Sequence, residues 1–260
     1  RADGVLSGLQ IAALAFRLID PDLKVTAHKS DGDSIASGDV LMQIEGRAAS
    51  ILSAERVALN FAGRLSGIAT LTADFVAQTK GTATRITCTR KTTPGLRLVE
   101  KQAVLHGGGF NHRFSLSDAI MIKDNHIAAA GGIRSVLQAV KVQASHMVRT
   151  EIEVDRLDQL QEVLDEGGAD VVLLDNMDTP ALRDAVKMNA GRLILEASGN
   201  MRIDRIAEVA ATGVDYISSG ALTHSAKTLD IGLGFYSKHR AVSAIILRCA
   251  CKAPPGLLDD

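Results

Sequence analysis

The hydrophobic pattern changes rhythm twice along the chain. Up to Glu45, short polar turns separate short apolar runs. Lys24–His28 and Val40–Glu45 read as strands, with Ser30-Asp-Gly-Asp33 and Ser37-Gly-Asp39 as turn chemistry between them. From Ala48 to Thr79 the positions Ile51, Leu52, Ala54, Ala58, Leu59, Ala62, Leu65 and Ile68 fall mainly at three- and four-residue steps, which predicts helix. Gly67 is expected to divide it in two. After Gly81, apolar runs end in polar residues and lead into helical segments, the pattern of βα units. Six strands are predicted: Thr84–Thr89, Ala119–Lys123, Thr150–Asp155, Val171–Asp175, Leu193–Glu196 and Val214–Ser218. Spacing of about 20 residues from Glu151 onward leaves room for one strand and one helix per unit, so the strands run parallel. Six is short of the eight of a full barrel. One helix is delimited by Thr93 as N-cap, Pro94 at its first position and Gly107–Gly109 at its end.

Composition narrows the picture. Hydrophobic residues make up 46% of the 260 residues but aromatics only 3%, so the core is built from Ala, Val, Leu and Ile, which suits helices packed on parallel strands. A formal net charge of −1 argues against a surface designed to hold nucleic acid, so any anion site is local. Cys88, Cys249 and Cys251 are too few for a secreted disulfide framework, and a reducing, cytoplasmic setting is expected. The apolar run Ala241–Leu247, broken by Ser243, is far shorter than the roughly 20 residues that span a bilayer. The opening at Arg1 reads as a cut rather than a targeting signal.

The local anion site is visible. Between Arg85 and Lys123 seven basic residues stand against two acids, Glu100 and Asp118. Arg97 and Lys101 around Glu100 fit a solvated helix face as well as they fit function. Arg90, Lys91 and Lys123 differ, because they fall where an apolar run ends, at the functional rim of a parallel α/β architecture. Arginine there grips a carboxylate or phosphate with two hydrogen bonds, and lysine supplies a point charge. Acids close later strands at the matching place: Glu153, Asp175 and Glu196. Each caps the next helix or does chemistry. Recurrence opposite a cationic rim favours metal binding or transition-state electrostatics for Glu153 and Asp175, and leaves Glu196 undecided. The last two units end in Ser198-Gly-Asn200 and Ser218-Ser-Gly-Ala221, small-residue turns of the kind that hold a phosphate.

Six segments resemble, in order, the quinolinate phosphoribosyltransferase family, also called carboxylating nicotinate-nucleotide pyrophosphorylases. They are Thr89-Arg-Lys-Thr-Thr-Pro-Gly-Leu-Arg97, Gly107-Gly-Gly-Phe-Asn-His-Arg113, Ile122-Lys-Asp-Asn-His126, Glu151-Ile-Glu-Val-Asp155, Leu173-Leu-Asp-Asn176 and Gly220-Ala-Leu-Thr-His-Ser225. The resemblance implies an α/β fold: an incomplete parallel α/β barrel over 68–235, a smaller, N-terminally truncated α+β sandwich domain over 1–67, and an atypical tail over 236–260. It implies transfer of a phosphoribosyl group from phosphoribosyl pyrophosphate to quinolinate with decarboxylation, giving nicotinate mononucleotide, CO2 and pyrophosphate for NAD synthesis. Mg2+ is the implied cofactor.

By the same resemblance Thr89, Arg90, His112, Arg113 and Lys123 hold quinolinate, and Lys91 faces the pyrophosphate. Glu153 and Asp175 serve the ribose, the metal and the developing positive charge, while Ser198, Gly199, Asn200, Gly220 and His224 receive the phosphoribosyl pyrophosphate. Arg56, by its own setting a solvent-facing helix charge, is implied to reach into the partner's site, which makes a homodimer part of the mechanism. Cys88 stands where the family more often carries an acid. A catalytically silent paralogue, or a transferase of the same fold acting on another pyridine acid, is the alternative reading. His106, His126 and His146 lack metal-site spacing and read as structural.

Overall fold

A computed structural model describes residues 3–237 and 243–249. In chain order the elements begin β1 (Gly4–Val5), α1 (Leu9–Ile19), β2 (Lys24–Ala27), β3 (Ser34–Ile35), β4 (Val40–Glu45) and α2 (Ala48–Gln78). There follow β5 (Arg85–Thr87), α3 (Arg97–His106), β6 (Ile120–Ile122), α4 (Asp124–Ala130), α5 (Ile133–Gln143), β7 (Thr150–Val154) and α6 (Leu157–Glu166). Then come β8 (Val171–Asp175), α7 (Thr179–Asn189), β9 (Ile194–Ser198), α8 (Ile203–Ala210), β10 (Tyr216–Ser218), α9 (Ala221–His224), β11 (Ile231–Ser237) and β12 (Ser243–Cys249). Two compact units result. One gathers the residues up to Ala73, Val99–Gly108 and those from Ala226 on; the other holds Asp74–Leu98 and Gly109–Ser225.

The second unit is the parallel α/β barrel, with all six predicted strands present. Its strands pair side by side in the order β5-β10-β9-β8-β7-β6, and no ladder joins β6 to β5, so the barrel is incomplete. The gap beside β5 is partly covered by Phe110, which exchanges backbone hydrogen bonds with Ile86 and Cys88. Strand starts are fixed by aspartates placed just before them. Asp170 accepts the Thr150 N–H of neighbouring β7 at 2.7 Å, and Asp215 accepts the Leu195 N–H of β9 at 2.8 Å. Each satisfies an amide at the sheet's end that no ladder partner reaches. The helices bury one stripe apiece, with Leu160 and Val163 from α6, Leu182 and Ala185 from α7, and Ile206 and Val209 from α8.

The first unit pairs β1 with β3 and builds a four-stranded antiparallel sheet in the order β11-β12-β4-β2. Its core is Leu6, Phe16, Leu41, Met42, Ile44, Ile51 and Leu247 with their neighbours. β12 lies within the stretch set apart as a tail, and it pairs with β4 between Ala244 and Arg248. Other residues of that stretch lie outside the described ones.

Three expectations are corrected here. Gly67 does not divide the helix; α2 is continuous over 31 residues. The glycine is required by packing instead, since a Cβ at Gly67 would meet the Lys227 carbonyl oxygen at 2.0 Å and one at Gly63 the Leu229 carbonyl at 2.9 Å. α3 begins at Arg97 rather than Pro94, because Gly95 adopts φ 78° and turns the chain first. Glu100 and Lys101 are fully buried, not part of a solvated face. Glu100 pairs with Arg64 at 2.9 Å, which supplies the counter-charge a buried carboxylate needs.

Alanine normally improves a helix interior over glycine by up to about 1 kcal/mol. Gly67→Ala should do the reverse and destabilise by about 2 kcal/mol or more, because backbone must move. Urea unfolding of the variant measures this, and a gain in stability would contradict the packing described.

Candidate active site

A cavity of about 880 Å3 opens in the barrel unit, at the C-terminal ends of its strands. Of the residues singled out above, Thr89, Arg90, Lys91, His112, Arg113, Lys123, Glu153, Asp175, Ser198, Gly199, Asn200, Gly220 and His224 all line it. Arg56 does not; it is exposed on α2. β5 runs into the turn that carries Thr89, Arg90 and Lys91, β6 delivers Lys123, β7 Glu153, β8 Asp175, and β9 and β10 the two small-residue turns. His112 and Arg113 follow the Phe110 bridge that covers the barrel's gap.

The arginines are held in an unusual electrostatic state. Arg113 donates to the Ala119 carbonyl at 2.8 Å, yet its Nε and that of Arg90 are buried without an acceptor among the described residues. Its pKa lies below that of a solvated arginine, first through burial and second through the like charge of Arg90, with Glu151 and Asp118 pulling the other way. A buried donor without an acceptor costs free energy that a bound carboxylate would recover. Lys123, by contrast, forms an ion pair with Glu153. Lys91 is exposed and has no ion pair among the described residues.

Beneath the arginines is a buried acidic cluster. His112 Nδ1 accepts the Arg113 backbone N–H at 2.9 Å, which leaves Nε2 as the protonated nitrogen, donating to Glu151 at 3.0 Å. Glu196 approaches the same Nε2 at 3.9 Å. Burial, and then the charge of Glu151, raise the pKa of Glu196 to about 7, against the opposing pull of His112 and the Ser218 hydroxyl. Two carboxylates this close do not both ionise readily. The pair therefore gives up its last proton only as pH approaches about 7.

The phosphate-type turns are built for close approach. Asn176 and Asn200 take left-handed φ of 54° and 48°, and Asn200 donates to Asn176 Oδ1 at 3.2 Å. Gly199, at φ 87°, faces that amide so closely that a Cβ would meet Asn176 Oδ1 at 2.2 Å. Asn176 in turn donates to Asp175 at 2.7 Å. At Gly220 a Cβ would crowd Lys91 Cδ at 2.9 Å and His224 Nε2 at 3.1 Å, so the glycine gives those side chains room.

Several lining residues were not foreseen. Met121 and Leu173 give the cavity its apolar wall, and Arg202 adds a polar group. Glu151 also escaped notice, although the alternation Thr-Glu-Ile-Glu puts Glu151 and Glu153 on one face of β7 and was there to be read. Cys88 is fully buried and its thiol donates to Asn111 Oδ1 at 3.2 Å, just before the Thr89 turn. His126 accepts the Lys123 N–H at 2.9 Å, and His106 bonds Ser7 at 2.8 Å, both structural roles.

Comparison with known proteins now bears on this arrangement. Residues 1–66 match the N-terminal domain of quinolinate phosphoribosyl transferase, and residues 68–234 match its C-terminal domain. The chain belongs to the quinolinate phosphoribosyltransferase family. It is 44% identical over 233 residues to a probable nicotinate-nucleotide pyrophosphorylase [carboxylating] of Bacillus subtilis (strain 168), covering 90% of this chain and 80% of that protein. A chloroplastic nicotinate-nucleotide pyrophosphorylase [carboxylating] of Arabidopsis thaliana is also 44% identical, over 250 residues, covering 90% of this chain and 71% of its own. The crystal structure of NadC from Streptococcus pyogenes superposes with a TM-score of 0.84 at 44% identity, covering 88% of this chain and 81% of that one. Family membership and the parallel barrel thus agree with the reading from motif order.

Glu196 gives a pH test. It ionises near 4.5 when unfolded and near 7 in the fold, so between these values the unfolded chain has released a proton that the folded chain keeps. Its contribution to stability is full below pH 4.5 and falls as pH rises to about 7. Glu196→Gln should flatten that part of the stability profile and stabilise the protein at pH 8, by on the order of 1–3 kcal/mol. Urea midpoints measured across this range check both points.

Proposed function

We propose that this protein transfers the phosphoribosyl group of phosphoribosyl pyrophosphate to quinolinate with loss of CO2, forming nicotinate mononucleotide and pyrophosphate in NAD synthesis. The carrying observation is the cavity's division of charge. Arg90 and Arg113 are half-buried cations with donors to spare, while Glu153 and Asp175 line the same space beside the small-residue turns. A planar dianion fits the first group and a sugar phosphate the second.

In this reading Arg90, Arg113 and Lys123 bind the two carboxylates, Thr89 adds a hydrogen bond, and His112 holds its place at this end through Glu151. Fixing both reactants side by side removes much of the entropic barrier. The ring nitrogen then attacks the anomeric carbon as the bond to pyrophosphate breaks, and the electron pair leaves with pyrophosphate. Glu153 and Asp175 stabilise the positive charge that develops on the sugar. Lys91, beside Gly220 and His224, meets the departing charge. After the transfer the C–CO2 bond breaks, its electrons remain on the ring carbon, and a proton replaces CO2. The cationic rim stabilises that carbanion.

Magnesium fits the acidic side of the cavity. One oxygen of Glu153 is engaged by Lys123 and one of Asp175 by Asn176, which leaves each a second oxygen for a hard cation. Glu153 and Asp175 would hold the ion together with the pyrophosphate, whose charge it would neutralise. A homodimer is part of the proposal, with Arg56 completing the partner's site. Leu52 and Val57 beside it on α2 are half exposed, which suits a covered face. Among the described residues no helix is long and apolar enough to cross a membrane. A cytoplasmic location rests on the cysteine usage.

Purified protein given quinolinate, phosphoribosyl pyrophosphate and Mg2+ should release CO2 and nicotinate mononucleotide. Turnover of nicotinate and not quinolinate would move the protein to a different reaction. Arg113→Ala should weaken quinolinate binding by about a hundredfold, as the loss of charge-assisted hydrogen bonds implies, while phosphoribosyl pyrophosphate binding holds. Calorimetry with each ligand separately decides this, and equal loss of both would refute the assignment of the arginines.

A further inference from the structure

The turn Thr89–Thr92 carries Arg90 for one substrate and Lys91 for the other, and two different side chains hold it. Arg97, the first residue of α3, donates through Nε to Thr92 Oγ1 at 3.1 Å and through Nη1 to the Phe114 carbonyl at 3.0 Å. Its Nη2 reaches the Arg90 carbonyl at 3.5 Å, the longest of the three. One guanidinium thus ties the backbone next to Arg90 to the loop that follows Arg113. The Lys91 carbonyl is held from elsewhere: Thr223, fully buried in α9, donates to it through Oγ1 at 2.7 Å.

We propose that Arg97 is a positioning residue for quinolinate and Thr223 a positioning residue for phosphoribosyl pyrophosphate, setting two halves of one turn independently. The proposal rests on the substrate reading given above. Its physical ground is the repulsion between Arg90 and Arg113. Like charges in a half-buried place push their loops apart, and neither arginine has a carboxylate at ion-pair distance among the described residues to oppose this. A rigid fork that bonds the backbone of both loops opposes it without neutralising either charge. A carboxylate in the same place would compete with quinolinate for the arginines. Lysine cannot substitute fully, since an ammonium lacks the planar, spaced donors.

Without the fork, quinolinate has to draw the loops together itself, and the cost appears as weaker binding. The Lys91 carbonyl, pinned by Thr223, is untouched by that loss. Without the Thr223 hydroxyl the converse holds: Lys91 swings while the arginines stay in register.

The experiment compares the full chain with Arg97→Met, Arg97→Lys and Thr223→Val. Quinolinate and phosphoribosyl pyrophosphate affinities are measured separately, along with steady-state constants and thermal midpoints. Amide exchange of residues 90–92 and 114–115 is followed in ligand-free protein. Arg97→Met should weaken quinolinate about tenfold or more, the scale of one or two lost charge-assisted hydrogen bonds, and change phosphoribosyl pyrophosphate less than about twofold. Most of the effect should fall on KM for quinolinate rather than kcat. Arg97→Lys should recover part of the affinity. Thr223→Val should show the opposite split, and only the Arg97 variants should speed exchange at 114–115.

Equal loss of both ligands in both variants, tracking the thermal midpoint, would show a merely structural role and overturn the proposal. Unchanged amide exchange in Arg97→Met would overturn it as well. Loosened loops in a protein that never binds quinolinate would instead sink the substrate reading, and the proposal with it, while leaving the clamp as a physical fact.

Discussion

Everything at this site depends on keeping two guanidiniums near enough to repel, half out of water, with no carboxylate at ion-pair distance from either among the described residues. Water would screen Arg90 and Arg113, and an acid would neutralise them; the fold does neither. It holds their loops by backbone instead. Phe110 is stitched to β5, the Ala119 carbonyl takes one Arg113 hydrogen bond, and Arg97 spans the two loops. The result is a positive potential set before any ligand arrives, which costs no reorganisation when the anion enters. Acids near the arginines are kept at one remove. Glu151 meets His112 rather than Arg113, and Glu196, its pKa raised by burial, is only partly ionised near neutral pH, so the floor under the arginines carries less negative charge than its residues suggest.

How much of this the sequence discloses depends on how far apart the interacting residues lie. The six strands announce themselves because each is a short local run closed by polar residues, and the rim residues Arg90, Lys123, Glu153 and Asp175 are visible for the same reason. Motif order adds the family. What stays hidden is made by contacts between distant positions. His112, Glu151 and Glu196 come from three separate segments, and nothing in any one of them says that they meet in one buried cluster. Arg97 looks like a surface charge until the loop at Phe114 folds back against it. Lys101 and Glu100 look solvated because helical charge spacing is local, while their burial is not.

Glycines mislead in a related way. Gly67 reads as a helix break by propensity, yet the structure uses it for clearance, with the Lys227 backbone passing where a methyl group would be. Gly220 and Gly199 make the same accommodation in the cavity, for side chains and an amide instead of a passing backbone. Gly95 behaves as the local rule says, turning the chain with a left-handed φ, and by doing so it moves the start of α3 to Arg97. The residue that begins the helix is then the one aimed at both cationic loops.

The order of strands around the barrel also has a consequence for how the protein is made. β5 is the first barrel strand to be synthesised, but its one ladder partner is β10, and Arg85 and Tyr216 of that pair are 131 residues apart in the chain. On the ribosome β5 therefore waits, its hydrogen-bonding edge bare, until nearly the whole barrel has emerged. The Phe110 segment, which follows within the same stretch of chain, can cover only the opposite edge early, through Ile86 and Cys88. The bridge that later carries His112 and Arg113 to the cavity thus halves the exposed backbone of the nascent strand, and leaves the β10 side as the one edge open to pairing with a neighbouring chain.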